Sequence, residues 1–169
     1  MKNLVLIGMP GSGKSTVGVL AAKALGMPFM DTDLIIQAQH GQLLQDMVDE
    51  LGTEGFLIEE ERTILDIRYK NTVIATGGSV ALEDHAMEHL KQNGYVFYLD
   101  LPYEEIERRL SNIATRGIAM GPGESLRTLY DYRVPHYRKH ADVLVEADGQ
   151  TLEETVAQVV ALWKGLKTE

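Results

Sequence analysis

The residues most suited to chemistry form one run near the start of the chain, residues 8–15, in the order Gly-Met-Pro-Gly-Ser-Gly-Lys-Ser. The run matches the pattern GxxxxGK followed by Ser or Thr, and it lies between an apolar segment and an amphipathic one. Its glycines let backbone N–H groups converge on phosphate oxygens without a clash from Cβ. The Lys14 ammonium can reach the terminal phosphates, and the Ser15 hydroxyl can ligate Mg²⁺. The pattern therefore predicts a P-loop that binds ATP or GTP.

A second pair of such residues, Asp31 and Asp33, follows a short apolar segment. Two carboxylates two positions apart at the end of a strand can diverge, so that one meets the metal and the other meets an acceptor hydroxyl. Phosphoryl transfer depends on positioning and charge neutralisation, with a carboxylate to orient the nucleophile or to accept its proton. Asp33 could instead cap the helix predicted after it, and both roles can hold at once.

Three arginines in the second half of the chain are further candidates. Arg109 could stack on adenine through its planar guanidinium, or it could lie on a surface helix. Arg116 lies in a glycine-rich loop, residues 111–123, which could close over ATP and stabilise the transferring charge, or which could hold a solvated arginine. Arg133 lies two positions before Pro135, which interrupts a predicted helix. That interruption could aim Arg133 inward, and a surface charge is the alternative.

The segments around these candidates alternate between short apolar runs typical of strands and longer amphipathic runs typical of helices. Strands are predicted at residues 3–7, 28–30, 72–75, 95–99 and 142–145. Helices are predicted at residues 14–25, 34–40, 43–51, 54–69, 83–92, 103–110, 124–140 and 152–166. This alternation predicts an α/β fold with a parallel sheet that helices cover on both faces.

Three polar loops follow predicted strands, at residues 8–15, 31–33 and 76–79. Right-handed crossovers put the carboxyl ends of parallel strands on one edge of the sheet, where ligands bind. The third loop contains Gly77 and Gly78, which could permit close approach of a ligand or could form a tight turn. The fold alone is thus expected to bring the three loops together.

Composition restricts the class of protein. A length of 169 residues suits one domain, and a net charge of −9 argues against nucleic acid as the main partner, because such binding relies on Lys and Arg at phosphates. The chain has no cysteine, which fits a reducing compartment. No apolar stretch approaches the roughly 18 residues of a membrane span. We therefore expect a cytoplasmic protein, monomeric, whose partner is a small molecule rather than nucleic acid or a membrane.

Over residues 2–145 the chain resembles the shikimate kinase family. The resemblance lies in an ordered set of motifs: the P-loop with Lys14-Ser15-Thr16, Asp31-Thr32-Asp33, Gly52 with Glu54 and Phe56, Ala75-Thr76-Gly77-Gly78, Leu99-Asp100, and Arg133-Val134-Pro135-His136-Tyr137 ahead of Ala141-Asp142. It implies a three-layer α/β/α P-loop NTPase fold, like that of nucleoside monophosphate kinases, with a five-stranded parallel sheet in the order 2-3-1-4-5 and a lid.

The resemblance also implies a domain layout and an activity. Residues 1–169 would form one P-loop kinase domain, with a substrate-binding subdomain at about residues 33–61 and the lid at about residues 111–123. The cofactors would be ATP and Mg²⁺. The reaction would transfer the γ-phosphate to a ring hydroxyl of shikimate.

On the nucleotide side, the resemblance implies a catalytic and phosphate-binding role for Lys14 and a metal-binding role for Ser15. Asp31 would lie near Mg²⁺ and act through water. Arg109 would lie beside adenine, and Arg116 would be the catalytic arginine of the lid. The implied nucleotide contacts in full are Gly11, Ser12, Gly13, Lys14, Ser15, Thr16, Arg109 and Arg116.

On the acceptor side, Asp33 would contact the substrate hydroxyls as base or orienter, Gly78 would bind the substrate, and Arg133 would bind its carboxylate. Two positions depart from the family. An arginine that helps to hold the carboxylate is replaced by Leu57, and the third glycine of a triplet is replaced by Ser79. Loss of one charge-assisted contact costs on the order of 1.5–3 kcal/mol.

Residues near Leu57 offer no simple replacement. Arg62 lies five positions on, which is about 140° away around a helix. Glu60 shares the face of Leu57 and matches a family glutamate, so it would leave the pocket more acidic, although the run Glu59-Glu60-Glu61 could equally form a solvated face. The first hypothesis is therefore a shikimate kinase with a rearranged carboxylate site. Two alternatives are a related kinase for another small hydroxylated acceptor and a nucleotide-binding module without turnover.

Overall fold

The computed structural model describes residues 1–111 and 123–166. Within them, short apolar runs form five strands: β1 Asn3–Ile7, β2 Phe29–Asp31, β3 Val73–Ala75, β4 Gly94–Asp100 and β5 Val143–Glu146. β1 and β3 are buried along their whole length. Runs of apolar residues without alternation suit this position, because both faces of a central parallel strand are covered by helices.

The helices in the described residues are α1 Lys14–Leu25, α2 Thr32–His40, α3 Leu44–Leu65, α4 Asp84–Gln92, α5 Tyr103–Ser111, α6 Leu126–His140 and α7 Leu152–Leu166, with one 3₁₀ turn at Val80–Leu82. The two helices predicted at residues 43–51 and 54–69 correspond to α3. Gly52 divides this helix, because its φ of 73° is left-handed and therefore non-helical. The 3₁₀ turn was not predicted from the sequence.

All strand pairs are parallel, and the strand order is β2-β3-β1-β4-β5, as the sequence and the family resemblance predicted. β1 lies at the centre, with Leu6 beside Ala75 of β3 and Ile7 beside Tyr98 of β4. The chain extends the sheet first on one side of β1 and then on the other. The loop after β1 therefore emerges at a topological switch point, where ligands bind in open α/β sheets.

Apolar packing on both faces of the sheet makes the three layers. On one face, Leu4 and Phe97 belong to a buried cluster with residues of α1 and with Trp163 of α7. On the other face, Val5 and Tyr98 belong to a cluster with residues of α3, α4 and α6. The expected three-layer α/β/α architecture is confirmed.

A third, smaller cluster joins α2 to α3 at one end of the molecule. Its buried members are Ile36, Leu44, Met47, Val48 and Phe56. This cluster fixes the α2–α3 unit above the carboxyl edge of the sheet with apolar contacts of its own.

Two features concern the expected partners and the lid. None of the helices in the described ranges is both long enough and apolar enough to cross a membrane. The predicted lid at about residues 111–123 falls almost wholly on residues 112–122, which lie outside the described residues together with Arg116.

Candidate active site

The loop between β1 and α1 has the geometry that the glycine spacing predicted. Gly11 and Gly13 adopt positive φ angles of 78° and 92°, which side chains with a Cβ rarely tolerate. α1 starts at Lys14, so the amino end of the helix, with the backbone N–H groups of its first turn, faces the loop. An arrangement of this kind favours an anion with several oxygens, such as a polyphosphate.

Lys14 lies across the loop rather than in solvent. Its Nζ donates hydrogen bonds of 2.8 Å to the carbonyl oxygens of Gly8 and of Met9, and only 7% of the residue is exposed. Ser12 Oγ accepts a longer hydrogen bond of 3.4 Å from the same ammonium. A buried ammonium held at this point places one positive charge beside the row of backbone N–H groups.

Ser15 and Asp31, the two predicted metal ligands, are in direct contact. Ser15 Oγ donates a 2.6 Å hydrogen bond to Asp31 Oδ2. A hydroxyl and a carboxylate are oxygen ligands of the kind that Mg²⁺ prefers, and this ion usually takes its other ligands from water and substrate phosphates. The pair therefore fits Mg²⁺, and no group of three or more acidic, histidine or cysteine side chains suited to a metal occurs elsewhere in the described part of the chain.

Asp31 rather than Asp33 caps α2. Asp31 Oδ1 accepts a 2.9 Å hydrogen bond from the backbone N–H of Asp33, which lies in the first turn of the helix. The predicted capping role of Asp33 is thus wrong by two residues. Because Asp31 satisfies the helix end, the Asp33 carboxylate does not have that task and lines the cleft.

Arg109 of α5 packs against the P-loop. Its Nη1 donates to the carbonyl oxygens of Ser12 and Gly11 at 3.2 and 3.4 Å, and its Nε donates to Glu105 at 2.9 Å. Arg109 therefore lies beside the nucleotide loop and lines the cleft, while contact with adenine stays a prediction.

One cleft of about 850 Å³ brings the predicted residues together. P-loop residues form one wall, and α2, α3 and the loop after β3 form the other. The sequence-predicted residues that line the cleft are Gly11, Gly13, Lys14, Ser15, Thr16, Asp33, Gly78, Arg109 and Arg133. Its other lining residues include Gln37, Asp46 and Phe56, which sequence reasoning did not assign to the site.

The glycine pair after β3 makes room at the floor of this cleft. A Cβ on Gly77 would lie 2.6 Å from Asp33 Oδ1, and one on Gly78 would lie 2.7 Å from Pro10 Cδ. The backbone N–H of Gly77 donates a 3.1 Å hydrogen bond to Thr32 Oγ1, which ties the loop to the start of α2. The glycines are thus required by close packing against Asp33 and Pro10, and close approach of a ligand to this loop stays a prediction.

Arg133 is buried at the back of the cleft, with 1% of its surface exposed, so the surface-charge alternative is wrong. α6 continues through Pro135 to His140, in agreement with the helix predicted at residues 124–140, and Pro135 does not interrupt it. The neighbouring Tyr137 hydroxyl donates to the Gly78 carbonyl oxygen. Burial raises the pKa of Tyr137 to about 12, although the Arg133 guanidinium opposes this shift.

The sequence did not decide whether Glu60 belongs to the site or to a solvated face of its helix. Its carboxyl group is buried, and Ser79 Oγ donates a 2.6 Å hydrogen bond to Glu60 Oε1. Burial raises the pKa of Glu60 to about 8; the nearby Asp33 adds to the shift, while the Ser79 hydrogen bond and Arg133 oppose it. Helical spacing offered a signal, because Phe56, Glu60 and Ile64 fall on the buried face of α3.

Leu57 contributes apolar packing instead of charge. It is half-buried against the α2–α3 cluster and is not among the residues that line the cleft. Arg62 is exposed and pairs with Glu59 at 3.0 Å, so it does not supply a guanidinium to the cleft, as expected from its helical position.

Comparisons with known proteins agree with this geometry. The family model described as shikimate kinase matches residues 10–164. A shikimate kinase of Thermodesulfovibrio yellowstonii is 37% identical, with 98% of this chain and 97% of that protein covered. Threonine synthase-like 1 of Mus musculus is 35% identical over 94% of this chain, which spans only 22% of that protein.

Among solved structures, the shikimate kinase from Acinetobacter baumannii in complex with shikimate matches with a TM-score of 0.88 and 29% identity. The match covers 100% of this chain and 96% of that one. Sequence and structure therefore agree over almost the entire length. This chain belongs to the shikimate kinase family.

Proposed function

We propose that the protein transfers the γ-phosphate of ATP to a hydroxyl of shikimate and so forms shikimate 3-phosphate. The observation that carries this proposal is that Lys14, Asp33 and Arg133 line one and the same cleft. Phosphoryl transfer requires charge neutralisation at the phosphates and an oriented nucleophile, and an anionic acceptor also requires a cation. These residues match the three requirements, and membership of the family is independent support.

On the nucleotide side, Lys14 and the backbone N–H groups of the P-loop bind the phosphates of ATP. Ser15 would hold Mg²⁺ directly and Asp31 through water, and the ion supplies charge neutralisation at the phosphates. Their 2.6 Å contact supports this assignment. Arg109 lies against the edge of the loop, in a position suited to the base, and Arg116 of the lid stabilises the transferring phosphoryl group.

On the acceptor side, Asp33 orients the reacting hydroxyl and accepts its proton. Gly78 lets the acceptor approach the backbone, because a side chain there would meet Pro10 and Arg133. Arg133 binds the acceptor carboxylate from a buried position, where a charge-assisted hydrogen bond is strong. The site thus holds the reacting hydroxyl and the carboxylate at separate points, which fixes the orientation of the ring.

We extend the proposal to the organisation of the chain and its setting. The domain at residues 1–169 carries a substrate-binding subdomain at about residues 33–61 and a lid at about residues 111–123. The protein acts as a cytoplasmic monomer in the biosynthesis of aromatic amino acids, with no nucleic acid or membrane partner. The acidic net charge of −9 and the absence of cysteine support this setting.

A coupled ADP-release assay with MgATP tests the activity. Shikimate, quinate and a series of neutral polyols serve as acceptors, and we expect turnover with shikimate at the lowest KM. Preferential turnover of a neutral polyol would assign the enzyme to another acceptor. The apolar packing of Leu57 would be consistent with that result. Nucleotide binding without ADP release from any acceptor would identify a non-catalytic module and refute the proposal.

A further inference from the structure

The buried carboxyl group of Glu60 has one oxygen engaged and one oxygen free for a ligand. Ser79 Oγ donates to Glu60 Oε1 at 2.6 Å. Glu60 Oε2 is buried and has no hydrogen-bond partner among the described residues. Glu60 lines the cleft, so the unpartnered oxygen belongs to the binding site rather than to the apolar core.

Glu60 Oε2 also lies close to Asp33. A Cβ atom added to Gly77 would lie 2.9 Å from Glu60 Oε2 and 2.6 Å from Asp33 Oδ1. Two oxygens from two carboxyl groups therefore converge on the same small space. Glu60 is fully buried, whereas Asp33 is only partly buried, and the nearby Asp33 contributes to raising the pKa of Glu60.

The surroundings of Glu60 favour its neutral form. The charged and titratable groups facing Glu60 come from three neighbouring segments and are Asp33 of α2, Glu83 before α4, and Arg133 and Tyr137 of α6. Burial outweighs the attraction of Arg133 and raises the pKa of Glu60 to about 8. Because Oε1 already accepts a hydrogen bond from Ser79, the proton of the neutral acid resides on Oε2 and faces the cleft.

We propose that Glu60 binds the acceptor as a neutral hydrogen-bond donor, and that Ser79 is the positioning residue that keeps Oε2 directed at the acceptor. One acceptor hydroxyl would then donate to Asp33 and accept from Glu60. Such a pair recognises a hydroxyl group by both of its hydrogen-bonding capacities, and an acceptor lacking that group would leave Glu60 Oε2 without a hydrogen-bond partner. The proposal deepens the proposed function and rests on it.

Acceptor binding as a function of pH tests this inference. Calorimetric titration of the protein with shikimate, at a saturating non-hydrolysable ATP analogue, gives the Kd, and the coupled assay gives KM and kcat. Between about pH 7 and about pH 9 the donor form of Glu60 falls from roughly 90% to roughly 10%, so the Kd of the wild type should rise about tenfold. Glu60→Gln keeps a neutral donor at the same place, so its Kd should stay near the neutral-pH value of the wild type throughout.

Two further variants separate donation from general packing. Glu60→Ala removes the donor and should bind shikimate weakly at every pH. Ser79→Ala should raise the Kd roughly threefold to tenfold at neutral pH, with little effect on kcat or on the KM for ATP, because one positioning hydrogen bond is lost. Glu59→Gln is the matched control, since Glu59 pairs with Arg62 and His40 rather than facing the cleft, and it should match the wild type.

The outcomes distinguish this inference from the proposed function. If shikimate binds and Glu60→Gln has the same pH dependence as the wild type, the donor role is wrong while the kinase assignment stands. If Glu60→Gln binds as poorly as Glu60→Ala at neutral pH, the donor role is again wrong. If shikimate binds to no variant and gives no ADP, the proposed function and this inference fall together.

Discussion

Lys14 and Glu60 are two ionisable side chains in the same cleft whose burial has opposite consequences. Burial of a charge is costly unless hydrogen bonds compensate for the lost water. The Lys14 ammonium donates to two backbone carbonyl oxygens at 2.8 Å, so its charge is compensated. Glu60 has a single hydrogen bond from Ser79, and its neutral form is favoured instead.

The first prediction at this scale concerns Lys14→Ala. The variant should lose at least about 10³-fold in kcat, because charge stabilisation at the transferring phosphates is the main catalytic term in phosphoryl transfer. Its far-ultraviolet circular dichroism should match that of the wild type, since the glycine φ angles rather than the lysine shape the loop. An unchanged kcat in the coupled assay would remove Lys14 from the mechanism.

The second prediction concerns the pH dependence of stability in Glu60→Gln. The folded protein favours protonated Glu60, with a pKa raised from 4.5 to about 8. The wild type therefore loses unfolding free energy as pH rises through this window and loses no more above it. Urea denaturation from about pH 4 to about pH 9 should show Glu60→Gln gaining relative stability, on the order of 4–5 kcal/mol.

Glu59→Gln is the control for this measurement, because its carboxylate is partly accessible to solvent and pairs with the exposed Arg62 on the same helix. Its stability relative to the wild type should change little over the same range, since exposed pairs contribute at most about 1 kcal/mol. A constant difference between Glu60→Gln and the wild type at all pH values would show that Glu60 is ionised in the folded protein.

At the scale of elements, the connection from α4 to β4 is one residue long, because only Asn93 separates the end of the helix from Gly94, the first residue of the strand. Gly94 pairs with Asn3 of β1, and the Asn3 N–H donates to the Asn93 carbonyl oxygen. A Cβ on Gly94 would lie 2.9 Å from the Leu90 carbonyl oxygen and 3.0 Å from Val5 Cγ2. The close packing of this turn sets the position of β4 beside β1.

The third prediction follows from this turn. Gly94→Ala should reduce the unfolding free energy by about 1–3 kcal/mol, because backbone oxygens cannot move aside as a flexible side chain can. Gly165→Ala in α7 is the control: no atom of the described residues lies within 4 Å of its added Cβ, so the better helix former should leave stability unchanged or raise it by up to about 1 kcal/mol. Equal effects of the two changes in denaturant unfolding would contradict the steric explanation.

At the scale of the whole molecule, the cleft joins parts that separate apolar clusters hold in place. The P-loop follows from the central strand of the main sheet, whereas α2 and the first part of α3 form their own cluster. Ligands that touch both walls add contacts between these parts that the free protein lacks. A ligand that binds only the folded state raises stability according to its concentration relative to Kd.

The fourth prediction is a thermal shift with MgATP. At a concentration of about 100 times Kd, binding should add about 2.7 kcal/mol to the unfolding free energy and so raise Tm by several degrees. Chelation of Mg²⁺ should reduce the shift, because Ser15 and Asp31 would lose the ion between them and the phosphates. Scanning calorimetry that shows no shift at saturating MgATP would contradict the nucleotide assignment.

Much of the fold was predictable because its signals are local. Apolar runs of strand length alternate with amphipathic segments, and this pattern predicted every strand of the described sheet to within two residues at each end. The 3₁₀ turn at Val80–Leu82 was missed, since three residues carry no periodicity. The capping of α2 by Asp31 was missed because Asp31 and Asp33 are both suitable capping residues, and only the backbone path separates them.

The sequence alone determined the phosphate loop, since all of its residues are contiguous and the glycine spacing sets the backbone that surrounds the anion. It also determined the sheet order through the family motifs. Only the tertiary structure decided that Glu60 faces the cleft while Leu57 packs into the α2–α3 cluster. It alone brought Ser79 to Glu60, because the contact depends on how α3 packs against the loop after β3, and burial there controls the protonation of a carboxyl group that sequence spacing cannot place.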